Sequence, residues 1–206
     1  MDTWDLIATE RARLAEALTT LDDAQWSVPS LCAGWSTKDT LAHVVSTVEM
    51  TPPGFFLGLA SSGFSFGRLM ARNVAAVGAD PVPRLLERLE AGVHSRNSPP
   101  GPTGSWLVET VVHGEDIAYP TATTIEHSEE ALVAAADSAR TTQPLLGAKK
   151  RIAGLRLRAD DIDWTTGDGP EVHGPLRILL LAMVGRPPVL DDLHGDGVPT
   201  LRERSQ

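Results

Sequence analysis

Glu109 and His113 stand four residues apart in the stretch SWLVETVVHGEDIAYP, residues 105–120. On a helix that spacing sets both side chains on one face, one turn apart, where a carboxylate and an imidazole can reach a single ion. The same spacing suits an ion pair on a solvated face, worth roughly a few tenths of a kcal/mol. The flanking Trp106, Val108, Val112 and Ile117 leave the buried face undecided. His43 supplies a second imidazole inside LAHVV, an apolar helical stretch, with Asp39 one turn before it. A core histidine bonded to Asp39 is the plain alternative. Two histidines and one carboxylate from two helices nonetheless form a three-donor set for a divalent cation, with coordination positions left open. Asp39 would then partner the other ring nitrogen of His43. Such donors suit zinc, nickel and iron alike.

The remaining reactive types carry less. Cys32 lies in PSLCAGW, and a single cysteine beside apolar residues is read as packed rather than nucleophilic. Glu115 and Asp116 are expected to face solvent or cap a neighbouring element, although Asp116 shares the His113 side of the helix. His94, His127, His173 and His194 fall in loops or at element ends with no partner visible. The chain has neither a phosphate-binding glycine loop nor a GxSxG elbow.

The elements that must position these residues are mostly helical. Trp4, Ile7, Leu14, Leu18 and Leu21 form a stripe over 3–21, which Arg11 interrupts. Ser36 and Asp39 resemble a capping box, so a helix is expected from about residue 37 to just before Pro52. Residues 55–78 read as a broken helical region, and Asp80-Pro81 opens another helix. A helix over about 105–119 carries Glu109 and His113 and ends at Pro120, and Ser128 starts one over 128–147. The texture changes at Lys149-Lys150. GLRLRA (154–159) alternates like a strand, Asp168-Gly169 is placed in a hairpin turn, and Pro175 starts a short helix over 175–184. The expected architecture is mainly α: an antiparallel helix bundle over 1–148, then a small α+β unit over 149–206.

Composition narrows the function classes. The net charge is −9, which argues against a nucleic-acid partner. The only cysteine excludes an intramolecular disulfide. MDTWDLIATERAR lacks the pattern of a signal peptide, and the apolar run at 178–184 is too short to span a membrane. A cytoplasmic protein without a membrane partner is expected, as monomer or homodimer.

Three segments carry a family resemblance. WSVPSLCAGWSTKDTLAH (26–43) resembles the N-terminal motif of the mycothiol-dependent maleylpyruvate isomerase family, within the DinB-like metal-binding superfamily. ETVVHGEDI (109–117) resembles its second motif, and GPLRILLLAMVGR (174–186) with LHGDGVPTL (193–201) resembles its C-terminal unit. The resemblance implies a DinB-like four-helix bundle holding a divalent metal, zinc foremost, on His43, Glu109 and His113. It implies a functional arginine in the C-terminal unit, best matched by Arg186. It also implies mycothiol as cofactor, its thiolate adding to a cis double bond so that rotation and elimination give the trans isomer. The partners implied are this small thiol and a small electrophile, as for an isomerase or an S-transferase. A non-catalytic metal-binding module and a thiol-independent metal hydrolase of the same fold are the alternatives.

Overall fold

The structure is a computed structural model that describes residues 2–142 and 146–205. It divides into two compact units, residues 1–127 and 128–206.

The first unit opens with α1 (Thr3–Leu18), where Asp2 and Asp5 form a capping box and Leu6, Ile7, Leu14 and Leu18 are buried. α2 (Thr37–Glu49) starts at Ser36: the Ser36 hydroxyl accepts the Asp39 N–H, and the Asp39 carboxylate takes the Ser36 N–H in return. The broken region resolves into α3 (Pro52–Ser61) and α4 (Phe66–Val77), joined by a tight turn. α5 (Val82–Ala91) and α6 (Thr103–Thr121) complete the unit, with Pro120 inside the last turn of α6 rather than beyond its end. α1 and α2 each pack on both α5 and α6, which closes a four-helix bundle, and α4 lies against α2. Leu14, Leu18, Leu41, Val45, Val48, Leu85, Leu89 and Ile117 meet in its core. At about 25 cal/mol per Å² of apolar surface withdrawn from water, this shared core rather than local helix propensity holds the bundle together.

The second unit begins with α7 (Glu129–Thr141), capped by Ser128 as expected. This helix, assigned from sequence to the bundle, packs on α9 (Leu176–Met183) inside the second unit. The helix expected over 128–147 stops short of that end: Thr142 is extended, residues 143–145 lie outside the described residues, and 146–147 are not helical, Gly147 having φ 65°. After α8 (Ala148–Arg151) come β1 (Arg156–Ala159), β2 (Thr165–Thr166) and β3 (Glu171–Gly174), in the order β2-β1-β3. β1 pairs antiparallel with β2 and parallel with β3. Asp168-Gly169 therefore does not close a hairpin, because the strands on either side of it do not pair with each other. It returns the chain across the end of β1, where Gly169 has φ 127° and a Cβ would lie 2.2 Å from the Gly154 carbonyl oxygen, so no side chain fits there. α10 (Val198–Glu203) closes the described chain. Among the described residues no helix is long and apolar enough to cross a membrane.

Candidate metal centre

α6 is apolar and buried on nearly every side, with Leu107, Val108, Val111, Val112, Ile117 and Ala118 all in the interior. Around Glu109 and His113 it therefore has no broad solvated face, and the polar residues it carries point into the bundle. A buried carboxylate and imidazole need partners, and α2 provides them. His43 Nε2 lies 3.7 Å from Glu109 Oε1, and the rings of His43 and His113 meet edge to face with centroids 4.7 Å apart. One ligand atom from each of His43, Glu109 and His113 falls within 4.8 Å of the others. The three side chains keep 11%, 15% and 16% exposure, so the cluster is enclosed by protein yet reachable from solvent.

Around these three lies a second layer of contacts. Asp116, fully buried, approaches His113 Nδ1 at 2.9 Å. That leaves Nε2 of His113 as the nitrogen free to face an ion, the arrangement in which a carboxylate fixes the tautomer and orientation of a ligating histidine. The Thr47 hydroxyl, one turn beyond His43 on α2, bonds to the Glu109 carboxylate. Arg11, the interruption in the α1 stripe, is buried and donates to the carbonyls of Gly92 and Ser95, with its charge felt at Glu109. The connector between α1 and α2 closes the site from the other side. Its Leu31 N–H donates to the Asp116 carbonyl, Cys32 Sγ donates to Asp116 Oδ2 at 3.0 Å, and the Trp35 ring lies 5.0 Å from His43. Gly34, at φ 80°, permits the turn from Cys32 to Trp35.

The electrostatics follow from burial and these contacts. Burial, and next the charge on His113, lower the His43 pKa to about 3, so His43 stays neutral. At His113 burial acts downward, but the Asp116 hydrogen bond, and then Cys32, push it up to about 10. Glu109 is raised by burial, against the opposing pull of His113, Thr47 and Arg11. Without a metal, a proton on His113 supplies positive charge beside the neutral imidazole and the carboxylates. A divalent cation would take over that role with release of the proton. The donor set fits such a cation: two imidazoles and a carboxylate, an orienting acid behind one imidazole, and a buried His43 Nδ1 with no hydrogen-bond partner in the described structure.

Several expectations from sequence change here. Asp39 does not serve His43, because its carboxylate is engaged with the Ser36 N–H and hydroxyl at the start of α2. Glu115 and Asp116 do not face solvent; both are buried. Cys32 is not merely packed, since it shares Asp116 and the vicinity of His113 Nδ1, 3.5 Å away. Cys32, His113 and Asp116 themselves form a second group with metal-ligand spacing. They do not form a nucleophile-base-acid relay, because thiol and carboxylate approach the same ring nitrogen. His127 has partners as well: Nδ1 lies 2.6 Å from Glu10 and Nε2 lies 3.1 Å from Glu115, with Arg13 pairing Glu10 from outside. His173 lies 2.9 Å from Asp160, and its backbone bridges that of His194. Arg186 belongs to the second unit, half-buried just beyond α9 and near Arg151. Spacing along one helix pointed to Glu109 and His113 as candidates. Asp116, three residues past His113 on the same face, was within reach of the same reasoning. Cys32, Thr47 and Arg11 sit on other elements and left no such signal.

Residues 7–118 match the family model described as the mycothiol maleylpyruvate isomerase N-terminal domain. Crystal structures of the mycothiol-dependent maleylpyruvate isomerase and of a point mutant of it are similar in fold, each with a TM-score of 0.62. Their identities to this chain are 16% and 15%, and each match covers 95% of this chain and 92% of the other. No curated protein matches the chain.

Proposed function

This chain belongs to the mycothiol maleylpyruvate isomerase N-terminal domain family, and from that membership we propose that it is a metal- and mycothiol-dependent isomerase or S-transferase acting on a small electrophile. The observation that carries this reading is the approach of His43, Glu109 and His113, from two helices, to within 4.8 Å at a point solvent can reach. These three residues would hold the cation. When bound there, a divalent cation stabilises a thiolate at neutral pH, where a free thiol is mostly protonated and a weak nucleophile.

The chain's own side chains then divide the work. Asp116 keeps the proton of His113 on Nδ1 and so commits Nε2 to the cation. Thr47 and the charge of Arg11 favour the ionised form of Glu109 against its burial. His43 is neutral and needs to lose no proton to ligate. Trp35 walls the His43 side with an apolar face, which strengthens electrostatic interactions within by excluding water. Arg186 is assigned to a carboxylate or oxyanion of the substrate, for which a planar guanidinium offers two parallel hydrogen bonds; the family resemblance of the GPLRILLLAMVGR segment supports this role.

Elemental analysis of the purified protein tests the ligand set. The wild type is expected to carry one divalent ion per chain, and His113→Ala to carry none while its far-ultraviolet circular dichroism stays helical. Stoichiometric metal in His113→Ala overturns the assignment. Titration calorimetry of the metal-loaded protein with mycothiol tests the thiol: no binding refutes that part, and turnover of esters or amides without thiol would make the protein a metal hydrolase.

A further inference from the structure

The turn from Cys32 to Trp35 touches the surroundings of both imidazoles. Trp35 stacks near the His43 ring at 5.0 Å, while Cys32 reaches Asp116 and, behind it, His113. The turn is itself held in place. Ser30 N–H donates to the Trp35 carbonyl, Cys32 N–H to Ser30 Oγ, Thr40 Oγ1 to Ser30 Oγ, and Leu31 N–H to the Asp116 carbonyl. This anchors the segment to the first turn of α2 and to α6, the two helices that carry the proposed ligands.

We propose that Cys32 is a positioning residue: its thiol donates to Asp116 Oδ2, fixes that oxygen against His113 Nδ1, and thereby sets the angle at which His113 faces the metal. The inference rests on the metal-centre reading above. The geometry supports it in three ways. Thiol and imidazole converge on the same oxygen, at 3.0 Å and 2.9 Å, and a carboxylate oxygen has lone pairs for both donors. Sγ also lies 3.5 Å from Nδ1, so the sulfur that donates to Asp116 Oδ2 is placed to accept weakly from His113 and closes the triangle. Asp116 has no access to solvent that could supply a replacement donor, so loss of the thiol leaves its carboxylate with one fewer partner in a buried place. Cys32 therefore acts through Asp116 and not as a ligand. A sulfur ligand would have to leave the carboxylate that now accepts its proton.

Cys32→Ala removes the donor, whereas Cys32→Ser removes the sulfur and keeps a donor. Zinc affinity is measured by chelator competition, and the geometry is followed by the visible bands of the cobalt-substituted protein. Partners behind a ligand typically contribute about 10–100-fold to metal affinity. We expect Cys32→Ala to bind about tenfold more weakly with shifted cobalt bands, and Cys32→Ser to stay within about threefold of wild type. A purely packing role predicts the opposite ranking, because alanine suits an apolar pocket better than serine, and that ranking overturns the proposal. A thiolate-to-cobalt charge-transfer band in the wild type also overturns it, by making Cys32 a ligand. If Cys32→Ala does not fold, Cys32→Val replaces it in the same comparison. A readout that needs no metal separates this proposal from the reading it rests on. In the metal-free protein the His113 Nδ1 proton is expected as a protected NMR resonance in wild type and Cys32→Ser, and exchange-broadened in Cys32→Ala. Wild type that binds no metal but shows this pattern sinks the metal reading and leaves Cys32 as the residue that orients His113; equal resonances in all three proteins sink the role of Cys32.

Discussion

Folding stability should fall as pH rises from 6.5 to 8.5, through the side chain of His127. His127 is clamped between Glu10 on α1 and Glu115 on α6, at 2.6 Å and 3.1 Å, with Arg13 on the far side of Glu10. A neutral imidazole can donate from only one nitrogen, so serving both carboxylates requires the charged ring. Burial acts against that charge, but the hydrogen bonds the ring donates to Glu10 and then to Glu115 outweigh it and raise the pKa to about 8 from an ordinary 6.5. A proton held more tightly in the folded than in the unfolded chain stabilises the fold fully below about pH 6.5, and the contribution is lost as pH rises through about 8. A difference of about 1.5 pH units, at about 1.4 kcal/mol each, makes about 2 kcal/mol. The assay is urea unfolding of metal-free wild type and His127→Gln from pH 5.5 to 9. Glutamine can donate to one carboxylate and does not titrate. The stability gap between the two proteins should be largest below pH 6.5 and shrink by about 2 kcal/mol by pH 9. Groups that do not touch His127 titrate in both proteins and cancel in the difference. A gap that stays constant with pH, or widens, refutes the clamp.

The remaining predictions address the assignments around the centre. Arg186→Ala should retain full metal while weakening the binding of mycothiol or of a carboxylate-bearing substrate by tenfold or more, measured by calorimetry on the loaded protein; loss of metal would refute a role toward substrate. Ser36→Ala should destabilise the chain by about 1 kcal/mol in urea unfolding, as expected for a lost helix cap, and leave zinc affinity within twofold. A large loss of affinity would mean that Ser36 and Asp39 act on His43 after all.

Much of the helical layout was legible because it rests on local rules. The capping box at Ser36, Ser128 before α7 and Pro175 before α9 are each decided within four or five residues of chain. The pair Glu109 and His113 was legible for the same reason, since one helical turn fixes their relation. Local rules failed where a choice depended on distant partners. Asp39 could serve the cap or His43, and spacing alone suits both; the free N–H at Ser36, only three residues away, takes it. Glu115 and Asp116 carry charge and so suggested solvent, but α6 is enclosed by the bundle, and His127 and His113 compensate them inside. Strand order in the second unit depended on which strand β1 accepts at its second edge, which is a non-local choice that the turn residues at 167–170 could not reveal.

The sequence alone therefore determined where helices begin, which residue types could bind an ion, and that two of them lie one turn apart on the same helix. These are properties of chain geometry over a few residues. Tertiary structure alone decided that His43 joins them, that Asp116 with Cys32 stands behind His113, and that Arg11 and Thr47 attend Glu109. Those relations connect segments tens of residues apart, and they are fixed by how apolar faces pack and by the requirement that every charge carried inside finds a partner.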